Sequence, residues 1–192
     1  MSAFDDAPHV HADDRATWRA WLEANHATAG GAWLVTYRPS SDRPRLDYGE
    51  AVEEALCFGW VDGTGRAIDA ERGQQYFAPR KPRSVWAASN KARVERLIRD
   101  GQMRPAGFAA IDRAKANGSW EVLESAERLE VPEDLAAALR LHEGAAANFA
   151  AFPPSARKMM LSWVAVAQRP ETRAARITKI AESAARNERA RA

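Results

Sequence analysis

The sequence predicts an α+β protein, with a small antiparallel sheet packed by helices and an all-helical C-terminal part. Three observations carry that expectation. Runs of aromatic and β-branched residues, the mark of strands, occur only before Ser89. Capped stretches with apolar residues at helical spacing are interleaved with those runs and continue alone after Gly118. A chain of 192 residues is long enough for one cored domain with a smaller appendage. The expected division is a flexible tail over 1–12, an α+β domain over 13–118 and a helical region over 119–192.

Each element has a local reason. Asp13 or Asp14 caps a helix carrying Trp18, Trp21, Leu22 and Asn25 on one face. Ala32 to Tyr37 alternates Trp33, Val35 and Tyr37 against Leu34 and reads as a strand, and the Pro, Ser and Asp residues of 38–44 read as a loop. Asp47-Tyr48-Gly49-Glu50 resembles a capping box and opens a helix that buries Val52, Ala55, Leu56 and Cys57, with Gly59 as its stop. Trp60 and Val61 enter a short strand, Asp62-Gly63-Thr64-Gly65 reads as a turn, and Gln74 to Ala78 reads as the next strand. Pro79 and Pro82 exclude regular pairing through the basic segment that follows.

Ser89 or Asn90 caps a helix with Val94, Leu97 and Ile98 toward the core, and Gly101 ends it. Pro105 opens another helix, with Phe108, Ile111 and Ala114 in line and Asn117-Gly118 as its C-cap. Beyond Ser119, Pro132 opens a short helix with Leu135 and Leu139, and Phe149 to Pro154 reads as a linker. Ser155 caps a helix with Met160, Trp163, Val164 and Ala167. Pro170 begins a last helix with Ala174, Ile177, Ala181 and Ala184, and Arg186 to Ala192 is expected to fray.

Composition narrows the function classes. A net charge of only +2 excludes a global polycation, so any nucleic-acid reading must rest on local clustering. The single cysteine, Cys57, forms no intrachain disulfide, which points to a reducing compartment. The N-terminus carries Asp5 and Asp6 where a secretory leader has cations, and no apolar run is long enough to span a bilayer. The expectation is a cytoplasmic protein without membrane insertion.

Chemistry-bearing residues cluster between Leu56 and Ile98. Arg80, Lys81, Arg83, Ser84, Asn90, Arg93 and Arg96 are the candidate anion-binding residues. Two prolines stiffen the first cations, a helix N-terminus follows, and arginine suits bidentate contact with phosphate or carboxylate. Tyr76, Phe77 and Trp86 are candidates for stacking on a base or aromatic ring. The competing reading is a solvated cationic face paired with Asp62, Asp69 and Glu71. Asp62 itself is a candidate acid/base or cation partner, set against the commoner role of an acid bonding turn N–H groups. Cys57 reads as a buried structural cysteine, because no base lies near it in sequence. His9-Val10-His11 lacks companion ligands at a metal-site spacing, and no cofactor motif is present.

Cys57-Phe58-Gly59-Trp60-Val61-Asp62-Gly63, the Phe77 to Arg80 corner, Ser84-Val85-Trp86 with Asn90, and Gly101 to Gly107 together resemble the YdeI/OmpD-associated (bacteriocin-protection) family. Trp163-Val164 with Glu171-Thr172-Arg173 and Arg176-Ile177 is similar to the same family's tail, and the likeness runs from about Trp18 to Ile180. The resemblance implies a bacterial protein tied to envelope stress and antimicrobial-peptide tolerance, and it brings no agreed catalytic residues. The expected function is a non-enzymatic, stress-associated protein that binds an anionic ligand, nucleic acid or nucleotide, through the basic aromatic segment. Two alternatives stay open. One is a small enzyme acting on a phosphorylated or carboxylated metabolite, with Asp62 as acid/base and Arg80 and Arg83 as clamps. The other is a protein-interaction module with an aromatic surface.

Overall fold

A four-stranded sheet organises the N-terminal part. In the computed structural model, which describes residue 4 and residues 6–190, the strands are β1 (His9–His11), β2 (Ala32–Tyr37), β3 (Trp60–Ala67) and β4 (Arg72–Pro79). Their order is β1-β2-β4-β3. β4 is antiparallel to both neighbours, with Leu34 opposite Gln75 and Asp62 opposite Phe77, whereas β1 runs parallel to β2. The sheet is therefore mixed, because part of the expected tail is a strand. Trp33 N donates to Pro8 O at 2.8 Å and Ala12 N to Val35 O at 3.3 Å, while Val10 and Ala12 are buried. A three-residue strand with one apolar side chain has no alternation to read. Residues 1–3 and 5 of the expected tail lie outside the described residues.

The turn expected at Asp62 to Gly65 is also displaced. β3 continues through it with a bulge between Asp62 and Gly65. The chain reverses later, where Asp69 Oδ1 accepts from Glu71 N at 3.0 Å and Arg72 N at 2.7 Å. The two glycines make room for neighbours. A Cβ on Gly63 would lie 3.3 Å from the Tyr76 ring, and one on Gly65 would lie 2.7 Å from Gln75 Oε1.

Helices α1 (Arg15–Asn25) and α2 (Tyr48–Cys57) cover one face of the sheet. Asp14 caps α1 by accepting from Thr17 N at 2.7 Å, and Asp47 with Glu50 forms a true capping box on α2. Trp18 donates to Ala51 O at 3.1 Å and packs its ring 5.4 Å from that of Phe77. Buried Glu54 joins the two helices by accepting from Arg15 Nε at 2.9 Å and Arg19 Nη1 at 2.6 Å. α3 (Ala88–Arg99) buries Val94 and Leu97 but leaves Ile98 exposed. α4 (Pro105–Ala116) buries Ala110 and Ile111 but leaves Phe108 exposed. In α3 the buried stripe is one residue narrower than the apolar pattern, whereas in α4 it is turned away from Phe108 toward Gly107 and Ala110.

Contacts divide the chain into two units. One comprises residues up to Ser84 with Ser89–Asn117, and the other comprises Val85–Ala88 with the residues from Gly118 onward. The second holds α5 (Glu124–Glu127), α6 (Glu133–Arg140), α7 (Ala145–Ala151), α8 (Pro154–Ala165) and α9 (Pro170–Ala185), and no strand among its described residues. Its core includes Leu135, Leu139, Phe149, Phe152, Met160, Val164, Ile177 and Ile180. The expected linker at 149–154 is mostly helix, since Pro153 caps α8 and Pro154 starts it. The expected frayed end is held as far as it is described. Asn187 takes φ 56°, its N–H bonds Ala184 O at 2.9 Å and Glu188 N bonds Ser183 O at 2.9 Å, a Schellman closure. Residues 191 and 192 lie outside the described residues.

Candidate anion-binding site

The corner after β4 is fixed along its length. Arg80 N donates to Gly59 O at 3.0 Å, Ser84 N to Lys81 O at 2.9 Å, and Asn117 Nδ2 to Pro82 O at 2.7 Å. With Pro79 ending β4 and Pro82 in the loop, little backbone freedom remains to be lost on binding. Lys81 and Arg83 stand exposed on this corner, and among the described residues neither has a carboxylate within ion-pair distance.

The other candidate cations are placed differently. Arg80 is only 5% exposed; burial pushes its pKa down to about 10, against the pull of Asp62, so it remains a cation at neutral pH. Arg96 pairs with Glu53, which also meets Arg15 Nη1 at 3.1 Å. Arg93 Nη1 donates to Asn90 Oδ1 at 3.2 Å, so these two candidates engage each other. Ser84 is half-buried at the end of the corner. The acids expected to neutralise the segment do not all do so, since Asp69 is bound to its own hairpin partner Arg72 at 2.7 Å.

The aromatic candidates do not form a stacking platform. Phe77 is fully buried against Trp18, because its strand position faces the helices. Trp86 belongs to the second unit, where it is buried 4.9 Å from the Trp120 ring. Tyr76 is half-buried among Trp33 at 5.1 Å and Phe4 at 4.6 Å. Stacking by Phe77 and Trp86 is therefore corrected, since both rings are core.

Asp62 sits in β3 and has a partner that the sequence did not suggest. Its Oδ2 accepts from Tyr48 Oη at 2.6 Å. Burial and then this bond push the Tyr48 phenol up to about 12, with Arg93 acting in the opposite sense. Asp62 thus acts on both Tyr48 and Arg80 within the first unit. Tyr48 was masked by its place in the capping box, where only Asp47 and Glu50 carry the signal. Cys57 is buried, and burial raises its thiol pKa although Arg19 works against that. His9 and His11 are exposed on β1, and among the described residues no three His, Cys, Asp or Glu side chains group as metal ligands.

Comparison with family models divides the chain near the same place. Residues 10–110 match a model described as a domain of unknown function, DUF8412, which covers more than half of the chain. The chain belongs to that family. Residues 128–187 match the family described as bacteriocin-protection, YdeI or OmpD-associated. That match contains Trp163, Glu171 and Arg176, while the Cys57 to Gly63 and Gly101 to Gly107 motifs fall within the first model's span. No curated protein and no solved structure matched the chain. Among the described residues, no helix is long and apolar enough to cross a membrane.

Proposed function

We propose that the protein binds a compact phosphate-bearing ligand of the nucleotide class at the Lys81–Arg83 corner, without chemistry of its own. The supporting observation is the pair of exposed cations, lacking carboxylate partners among the described residues, on a loop held by three hydrogen bonds. Two adjacent cations suit one or two phosphates better than a long nucleic-acid track, and the burial of Phe77 and Trp86 removes the expected base platform. The bacteriocin-protection description of the C-terminal match suggests a stress-associated setting, and the single cysteine suits the cytoplasm.

Calorimetric titration with nucleoside triphosphates and with a short single-stranded oligonucleotide, at low salt, tests this reading. Saturable binding lost in Lys81→Ala and Arg83→Ala supports it. Association no tighter than about 10⁻⁴ M, or binding indifferent to both substitutions, removes it. The enzymatic alternative draws on the 2.6 Å Tyr48–Asp62 bond beside buried Arg80. It expects Asp62→Asn to stay folded while losing turnover of a phosphorylated or carboxylated metabolite.

A further inference from the structure

A cavity of about 300 Å³ opens beside the start of α2, between the sheet and the 38–47 loop. Its floor is apolar: Leu34 from β2, Leu46 from the loop and Ala51 from α2 are all buried. Gly73 of β4 lies opposite Thr36 in register, and both line the space. A side chain at position 73 would have room. A Cβ there would meet only Arg66 O, at an ordinary 3.6 Å, and the backbone is not left-handed. The cavity thus owes part of its volume to a missing side chain that the protein itself would tolerate.

The rim carries two arginines and one carboxylate, Asp47, whose Oδ1 is taken up by Gly49 N at 2.8 Å, so its balance is cationic. Arg38 and Arg45 both line the opening. Among the described residues Arg38 has no carboxylate partner, and Arg45 meets Asp47 only at 3.8 Å. Tyr48 contributes a wall and is 54% exposed, with its hydroxyl held by Asp62 at 2.6 Å. That bond fixes the ring and leaves its face available for an aromatic neighbour.

We propose that this cavity is a binding site for a small organic carboxylate with an aromatic body. The apolar floor and the Tyr48 ring accept the body, and the arginines at the mouth take the carboxylate, for which their planar forks are suited. The volume is at the small end of ligand pockets, which favours a single ring over a nucleotide. The proposal is independent of the Lys81–Arg83 corner, which contributes nothing to this cavity.

Benzoate and phenylacetate, with benzamide and phenylacetamide as neutral controls, are the probes. Ligand-observed NMR and melting shifts are read on the full chain. Saturable binding of the acids, at least about tenfold tighter than the amides, is expected. Gly73→Val should keep the native circular dichroism and lose acid binding, because the valine fills the cavity in a residue type suited to strands. Arg38→Gln with Arg45→Gln should weaken the acids by about tenfold or more and leave the amides unchanged. Lys81→Ala with Arg83→Ala should leave the acids unchanged, which separates this site from the corner. No saturable binding of either acid at millimolar concentration overturns the proposal. So does acid binding that survives the two arginine substitutions, a test that stands even where Gly73→Val fails to fold.

Discussion

The Tyr48 hydroxyl donates to Asp62, and its pKa is raised to about 12. A phenol that holds its proton more tightly when folded contributes stability that is complete below its ordinary pKa, near 10. That contribution is then lost as pH rises through about 12. Tyr48→Phe should therefore flatten the loss of stability above about pH 10, measured by urea unfolding at a series of alkaline pH values. An unchanged slope would mean that the phenol is neither buried nor bonded to Asp62 as described. Cys57 gives a second test at this scale. Its burial and raised pKa predict modification by a thiol reagent only at the rate of unfolding, so labelling that is fast in native buffer at neutral pH would contradict the packing. Cys57 was legible because apolar Leu56 and Phe58 flank it and no base lies near it in sequence. Tyr48 was not, since its partner is fourteen residues away on a strand read as a turn.

Between elements, one tight approach joins the end of α2 to the start of α4. A Cβ on Gly107 would lie 2.4 Å from Cys57 O, and Arg104 N donates to that same oxygen at 3.1 Å. Gly59 has φ +73° and would press a Cβ to 2.7 Å from Ala106 O. The Cys57-Phe58-Gly59 and Ala106-Gly107 motifs are two halves of one contact, which is why both glycines are needed. Gly107→Ala should lower stability by about 1–3 kcal/mol through overpacking against backbone, read from chemical denaturation. Tolerance of Gly107→Ala without loss would show that α4 can slide away. Elements with local signals were legible: the α2 capping box, the Gly101 stop and the aromatic and β-branched run of β2. The elements that escaped were set by distant partners. β1 exists only through its ladder with β2, and the glycines of β3 read as a turn until the Tyr76 and Gln75 side chains that occupy their space are known. The proline pair at 153–154 was read as a break, whereas it caps and starts α8.

Across the whole molecule, 28 basic and 26 acidic side chains leave a net charge of +2, too little for strong long-range attraction of an anion. Much of the arginine complement is absorbed locally, as in Arg104 with Glu23 at 2.8 Å and Arg173 with Asp134 at 2.6 Å. The cationic segment was legible in sequence, but its usable charge was not, because spacing along the chain does not say which guanidinium is buried or already paired. Salt dependence of binding therefore reports only the contacts made at the corner. If Lys81 and Arg83 each neutralise one phosphate of a single strand, log affinity should fall against log salt with a slope of about −1.4. Removing either side chain should bring the slope to about −0.7. Arg96→Ala should change neither slope nor affinity appreciably, because that guanidinium is already held by Glu53. Oligonucleotide titrations at several salt concentrations decide the matter. A native slope of about −3 or steeper would mean that further cations take part, and the two-cation corner would then be too small an account of the site.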